Sequence, residues 1–204
     1  MRRGADHRRA KTAGRAFAAL GLAAVLAGCS AVMPTPSADT YDLSAPATTT
    51  PPRGRSLQIL VAEPAADRAL DTERIVVRPS ATEIAYFSGA QWSDRLPRLV
   101  QSRLVGALEA SGRFRAAGRP GQGLAIDRQI VTEIRAFDYE AGEGRVVIAL
   151  SMKLMDDRTG RVLATRAFRA EEPATDSAKA AVAAFDRAQA RLMAEIVAWA
   201  GQRG

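Results

Sequence analysis

From Val146 to Leu154 every second residue is large and apolar (Val146, Ile148, Leu150, Met152, Leu154), the period of a strand with one buried face. Flanking stretches at about 124–138 and 161–170 read as strands too. The turn-rich segments Glu140–Gly144 and Asp156–Gly160 join all three into a hairpin-linked meander. Earlier in the chain, Leu57–Ala62 is a short apolar run ended by Glu63-Pro64, and Arg74–Arg78 and Glu83–Phe87 are separated only by Pro79, Ser80, Ala81 and Thr82, which predicts an antiparallel hairpin. The period then lengthens. Leu96, Val100, Leu104 and Leu108 recur every fourth residue, with Leu99 and Ala107 widening the stripe, so a helix is predicted from a Ser93 or Asp94 cap to about Ser111. Pro97 fits its first turn, where backbone N–H groups have no helical partner, and Gly112 supplies the stop. Residues 116–123 read as a loop. After Pro173 a second, alanine-rich helix runs from about Asp176 to Trp199, with Phe185, Ala188, Leu192, Ile196 and Trp199 on one stripe.

The order βββ-α-βββ-α predicts an α+β fold: a mixed or antiparallel sheet with two helices packed on one face. The opposite face is left to solvent, lipid or a partner. The folded domain is expected over 57–204, with a short strand earlier at 40–43, where Thr40-Tyr41-Asp42-Leu43 alternates. Residues 29–56 hold many Pro, Thr, Ser and Ala and read as a tether, with an end-to-end distance of about 30 Å as a flexible coil.

The N-terminus carries a different pattern. Six basic residues among the first 15 precede a 12-residue apolar run at 16–27, too short for the ~20 residues that a membrane-spanning helix needs. Leu26-Ala27-Gly28-Cys29 follows and resembles the bacterial lipobox. Cleavage between Gly28 and Cys29 would remove residues 1–28 as a signal peptide and leave Cys29 carrying diacylglycerol and an N-acyl chain; the alternative is an ordinary signal with a cysteine after the cut. Several acyl chains together give a permanent membrane anchor. Ser30 is not the aspartate that favours inner-membrane retention, which points to the periplasmic face of the outer membrane.

That processing changes the charge. The formal net charge of +7 includes six basic groups and one acidic group in residues 1–28, so the remaining 176 residues hold 23 basic against 21 acidic groups. A nucleic-acid role loses its main support. The only histidine, His7, lies in the signal, and Cys29 is the only cysteine. Serine–histidine and cysteine–histidine catalysis, and zinc sites built on those ligands, are excluded from the mature chain. No phosphate-binding GxxxxGK[ST] loop is present, so ATP-driven work would need another subunit.

Tyr41-Asp42-Leu43 after the lipobox, then Ile84–Pro97 (IAYFSGAQWSDRLP), the leucine-striped helix and Ser111-Gly112-Arg113-Phe114 together resemble the ABC-type transport auxiliary lipoproteins, including the PqiC-like partners of Mce lipid transport systems. The ordered set covers residues 41–199. The resemblance implies a non-catalytic lipoprotein, without cofactor beyond its covalent lipid, working with an ATPase, a permease and a periplasmic Mce-domain protein to move phospholipid or another hydrophobic substrate. It also raises homo-oligomerisation, which the alanine-rich second helix alone does not decide.

Four residues stand out as candidate partner or lipid contacts. Tyr86, Phe87 and Trp92 are aromatics of the kind enriched at interfaces, and Arg98 belongs with Arg95 and Arg103 in a basic cluster suited to headgroups. Against this, Trp92 could pack over the hairpin and first helix, and the arginines could be a solvated helix face. The Asp156-Asp157 pair reads as turn chemistry rather than a metal or acid–base couple. Two other functions remain beside docking: a free-standing lipid carrier, and a hydrolase using carboxylates alone.

Overall fold

The alternation at 146–154 builds the centre of the molecule. In the computed structural model, which describes residues 37–45 and 57–202, three long strands form an antiparallel meander: β7 (Arg128–Glu140), β8 (Arg145–Asp156) and β9 (Val162–Pro173). All five alternating side chains of β8 are buried. Their partners on β7 are Leu154↔Ile130, Met152↔Thr132, Leu150↔Ile134, Ile148↔Phe137 and Val146↔Tyr139. The spacing on β7 changes from even to odd numbers because the register shifts between Ile134 and Ala136. One extra residue there keeps both halves of the strand facing the core. Gly144 and Gly160 end the two connecting turns at φ 59° and 68°, where a β-carbon would crowd the following carbonyl.

The rest of the sheet is more divided than the predicted order. Along the other edge of β7 lie three short strands in succession, all parallel to it: β2 (Gln58–Val61), β3 (Ala65–Ala66) and β4 (Arg74–Ser80). Pro64, which has no N–H to donate, separates the first two. β5 (Glu83–Trp92) returns antiparallel on β4, and β1 (Asp39–Tyr41) adds parallel to β5, with Tyr41 opposite Trp92. β6 (Ala116–Gly118) pairs parallel with β2 inside the segment read as a loop. The element order is therefore five strands, a helix, four strands and a helix, not βββ-α-βββ-α; β3 and β6, two and three residues long, carry too few positions to show a period. The class is α+β with a mixed sheet and two helices. The compact unit begins at Ala38, so β1 belongs to it.

Helix α1 (Leu96–Ala110) starts later than its Ser93/Asp94 signal suggests. Arg95 occupies the cap position without a side-chain cap, and Asp94 Oδ1 instead accepts the Arg95 N–H at 2.7 Å. Its leucine stripe is buried against β2, β6 and the second helix, and Gln101 Nε2 donates to the Val61 carbonyl at 2.9 Å, satisfying a buried amide. Helix α2 (Ala178–Gln202) lies across β8 and β9. Phe185 stacks on Phe137 at 4.7 Å between centroids, and Trp92 meets both rings edge-on at 5.6 and 5.9 Å. The reverse face of the meander is open and polar, with Glu133, Lys153, Thr165 and Arg169 exposed.

Candidate functional site

The four candidate contact residues do not share one surface. Trp92 is 1% exposed and belongs to the aromatic core, so it has no surface to offer a partner. Tyr86 and Phe87 are successive strand residues and point to opposite sides of the sheet. Tyr86 lies under the Arg74 guanidinium, 3.5 Å from its ring centroid, and its hydroxyl donates to the Ala69 carbonyl at 3.4 Å. Phe87 is half-buried 5.5 Å from the Tyr139 ring. Arg98 is exposed on α1, with Nε 3.9 Å from Glu63 Oε2.

The neighbouring arginines are held by carboxylates. Arg95 is paired with Asp71 and Glu63, and Arg103 with Asp42 at 2.5 Å. Burial acts to raise the Asp42 carboxyl, but the Arg103 charge and hydrogen bond and the Leu43 N–H outweigh it and hold the carboxyl below its ordinary value. A polar trough of about 450 Å³ runs beside α1, where Arg98, Arg103 and Arg119 face Asp42, Asp94 and Ser93. Opposite charges interleave there rather than forming a cationic patch.

In the β8–β9 turn Asp156 is engaged locally: its Oδ1 accepts from the Thr159 hydroxyl (2.6 Å) and N–H (2.9 Å), which holds its carboxyl low. Asp138 is the buried carboxylate, 1% exposed. Its Oδ2 accepts from Arg78 Nε at 2.9 Å while Oδ1 has no partner among the described residues. Burial pushes this carboxyl up against the pull of Arg78. Among the described residues no three His, Cys, Asp or Glu side chains converge as metal ligands, and no helix is long and apolar enough to cross a membrane. Gly28, Cys29 and the signal peptide lie outside the described residues, as does most of the expected tether.

Two features emerge only from the tertiary structure. First, the segment Tyr41–Ser44 crosses both helices as a strap. The Tyr41 carbonyl accepts the Ser93 N–H at 2.7 Å, Leu43 is buried at 2% exposure, and the Ser44 N–H donates to Asp186 Oδ1 at 2.6 Å. Second, an open groove of about 530 Å³ runs between α1 and α2, with Ala107, Met193 and Val197 at its floor and Ala190, Ala194 and Ala198 on its wall. The four-residue spacing of those alanines was visible in the sequence as a helical stripe. That it faces outward was not, because alanine suits core and surface alike.

Over residues 41–197 the sequence matches the family described as the ABC-type transport auxiliary lipoprotein component. An uncharacterized protein of Bradyrhizobium diazoefficiens is 34% identical over 163 residues, 78% of this chain but 44% of that protein, so the chain spans less than half the length of this curated relative. The crystal structure of a Xanthomonas campestris protein superposes with a TM-score of 0.72 at 31% identity, covering 81% of this chain and 96% of that one. A crystal structure of another uncharacterized protein gives a TM-score of 0.64 at 19% identity, covering 80% and 98%, a likeness of fold alone. The stretch matched in sequence begins at the strap, runs through α1 and ends within α2, and the chain belongs to the ABC-type transport auxiliary lipoproteins.

Proposed function

We propose that the chain is a non-catalytic docking component of an Mce-type ABC transport system, anchored to the periplasmic face of the outer membrane by diacylglycerol and an N-acyl chain on Cys29. It positions a periplasmic Mce-domain protein, which acts with an ATPase and a permease to move phospholipid or another hydrophobic substrate between membranes. The observation that carries this reading is the strap. Residues 41–44, within the segment expected to be the lipid tether, are fastened to the folded domain by hydrogen bonds to Ser93 and Asp186 and by burial of Leu43. Anchorage is thereby coupled to one defined face, as positioning a partner requires.

Affinity capture of the full chain from detergent-solubilised envelopes, followed by mass spectrometry, tests the proposal. The ATPase, the permease and the Mce-domain protein should be recovered together, and deletion should impair the outer-membrane barrier. Recovery of bound lipid with no protein partner, and an intact barrier, would favour a free-standing carrier instead.

A further inference from the structure

Because the strap is fastened to the domain, the chain between the lipid and the fold is short. The described chain begins at Ser37, eight residues after Cys29. Whatever conformation those residues take, they span at most ~29 Å. The fold begins at one edge of the sheet. β1 runs parallel to β5 with Asp39 opposite Ala90, so the chain enters β1 from the side of the β4–β5 turn. Ile84 stands six residues back along β5, ~20 Å from Asp39. β1 covers β5 only from Ala90 to Trp92, and among the described residues no strand pairs with the outer edge of Glu83–Gly89. The β7–β8 turn shares this end of the sheet: Arg78 pairs with Glu140, and the Ala141 N–H donates to the Arg78 carbonyl at 3.0 Å. Two large apolar side chains are exposed among the described residues, Ile84 at 44% and Val162 at 48%. They mark opposite ends. Val162 follows the β8–β9 turn at the far end of the long strands, and β9 lies five strand spacings from β1, ~24 Å across the sheet.

We infer that the β4–β5 hairpin and the free edge of β5 rest on the membrane that holds the Cys29 lipid, with Ile84 in the interfacial layer, and that the short tether sets this orientation. The inference rests on the Cys29 anchor proposed above and adds which surface of the domain that anchor turns toward the lipid. The place where the chain enters the fold selects the end: Ile84 is on the edge and the side from which β1 is entered, and Val162 is on the far edge at the other end. A single exposed isoleucine is ordinary on a soluble surface. What distinguishes Ile84 is its place beside the anchored start of the domain, where contact with lipid removes its apolar surface from water. Charge does not supply the contact. Glu83, Glu140 and Glu143 stand at this end, and its two arginines are engaged, Arg78 by Asp138 and Arg145 by Glu140 and Glu171. A basic cluster that would draw an anionic leaflet is therefore missing among the described residues. The reverse face of the meander offers the membrane only polar side chains such as Glu133, Lys153 and Arg169. With Ile84 down, the β8–β9 turn points into the periplasm.

The test uses the full lipidated chain, extracted from membranes and reconstituted into vesicles of phosphatidylethanolamine and phosphatidylglycerol. With Cys29 acylated, Ile84→Cys or Val162→Cys supplies the single free thiol for an environment-sensitive fluorophore, and phospholipid with a nitroxide headgroup is the quencher. The expected result is a blue-shifted, quenched label at 84 and an unquenched one at 162. About twenty Gly/Ser residues inserted between Pro36 and Ser37 add ~25 Å of coil and should relieve the quenching at 84. In cells, photoreactive residues at the same two positions give a second readout, with lipid adducts from 84 and none from 162. Equal quenching at both positions, stronger quenching at 162, or quenching at 84 that survives the insertion undiminished would overturn the inference and leave the anchor in place. A chain that carries no acyl mass and does not sediment with the vesicles would remove the anchor, and the inference with it.

Discussion

Trp92 shows how far a single residue can be placed by its surroundings. As an aromatic beside a helix start it fits either an interface or a core, and the contacts with Phe137 and Phe185 put it in the core. Trp92→Ala should therefore cost about 3–5 kcal/mol in urea denaturation, and a loss below ~1 kcal/mol would show that the cluster does not bear the packing described. Asp138 is a second case. Because burial holds its carboxyl above the ordinary aspartate value of 3.8, the folded state binds this proton more tightly than the unfolded chain. Its contribution to stability is complete below that unfolded value and is lost as pH rises through the folded one. The stability of Asp138→Asn relative to the unaltered protein should thus rise between about pH 4 and pH 7, measured by denaturation at each pH; a flat difference would contradict the raised carboxyl. Arg78→Met, which leaves that carboxylate buried without its cation, should be the more damaging change at pH 7, by about 3 kcal/mol.

Among the elements, the strap is the one whose loosening has a distinct signature. Leu43→Ala removes a buried side chain at a cost of about 2–3 kcal/mol, and it should speed hydrogen exchange at the amides of Ser44 and Ser93, whose acceptors lie across the strap. Exchange unchanged at both would mean that Leu43 is not what holds the segment down. The strands and helices themselves were legible to differing degrees. β8 and both helices repeat their period over several turns or pairs, and their buried faces are the ones the spacing predicts. β3 and β6 are too short to repeat anything; they are strands only because β7 and β2 supply the neighbouring backbone. The Ser93/Asp94 cap failed for a related reason: the Ser93 side chain hydrogen-bonds Asp42 on the strap and Asp94 turns back on the next N–H.

For the whole molecule, the anchor proposed at Cys29 is the feature whose loss should matter most. Cys29→Ser should release the chain from the membrane fraction into the soluble periplasmic fraction while leaving the thermal melt of the folded unit unchanged. Retention in the membrane would argue that the domain binds there by other means. The open meander face, with its mixture of Glu, Lys, Thr and Arg, has the character of a solvated surface, and the helical side carries the strap and the groove together.

Read by itself, the sequence determined the period of each long element, the α+β class and the absence of histidine and free thiol chemistry from residues 30–204, since all of these depend on residue type and spacing alone. Family membership was legible too, because the segments that carry it keep their order along the chain. Only the tertiary structure decided that β2, β3 and β4 share one edge of β7, that Trp92 is core while Arg98 is exposed, and that Asp186, Gln189 and Arg113 line one groove. Those relations join residues up to more than 140 positions apart, as Ser44 is from Asp186, and no local period encodes which distant surfaces will meet.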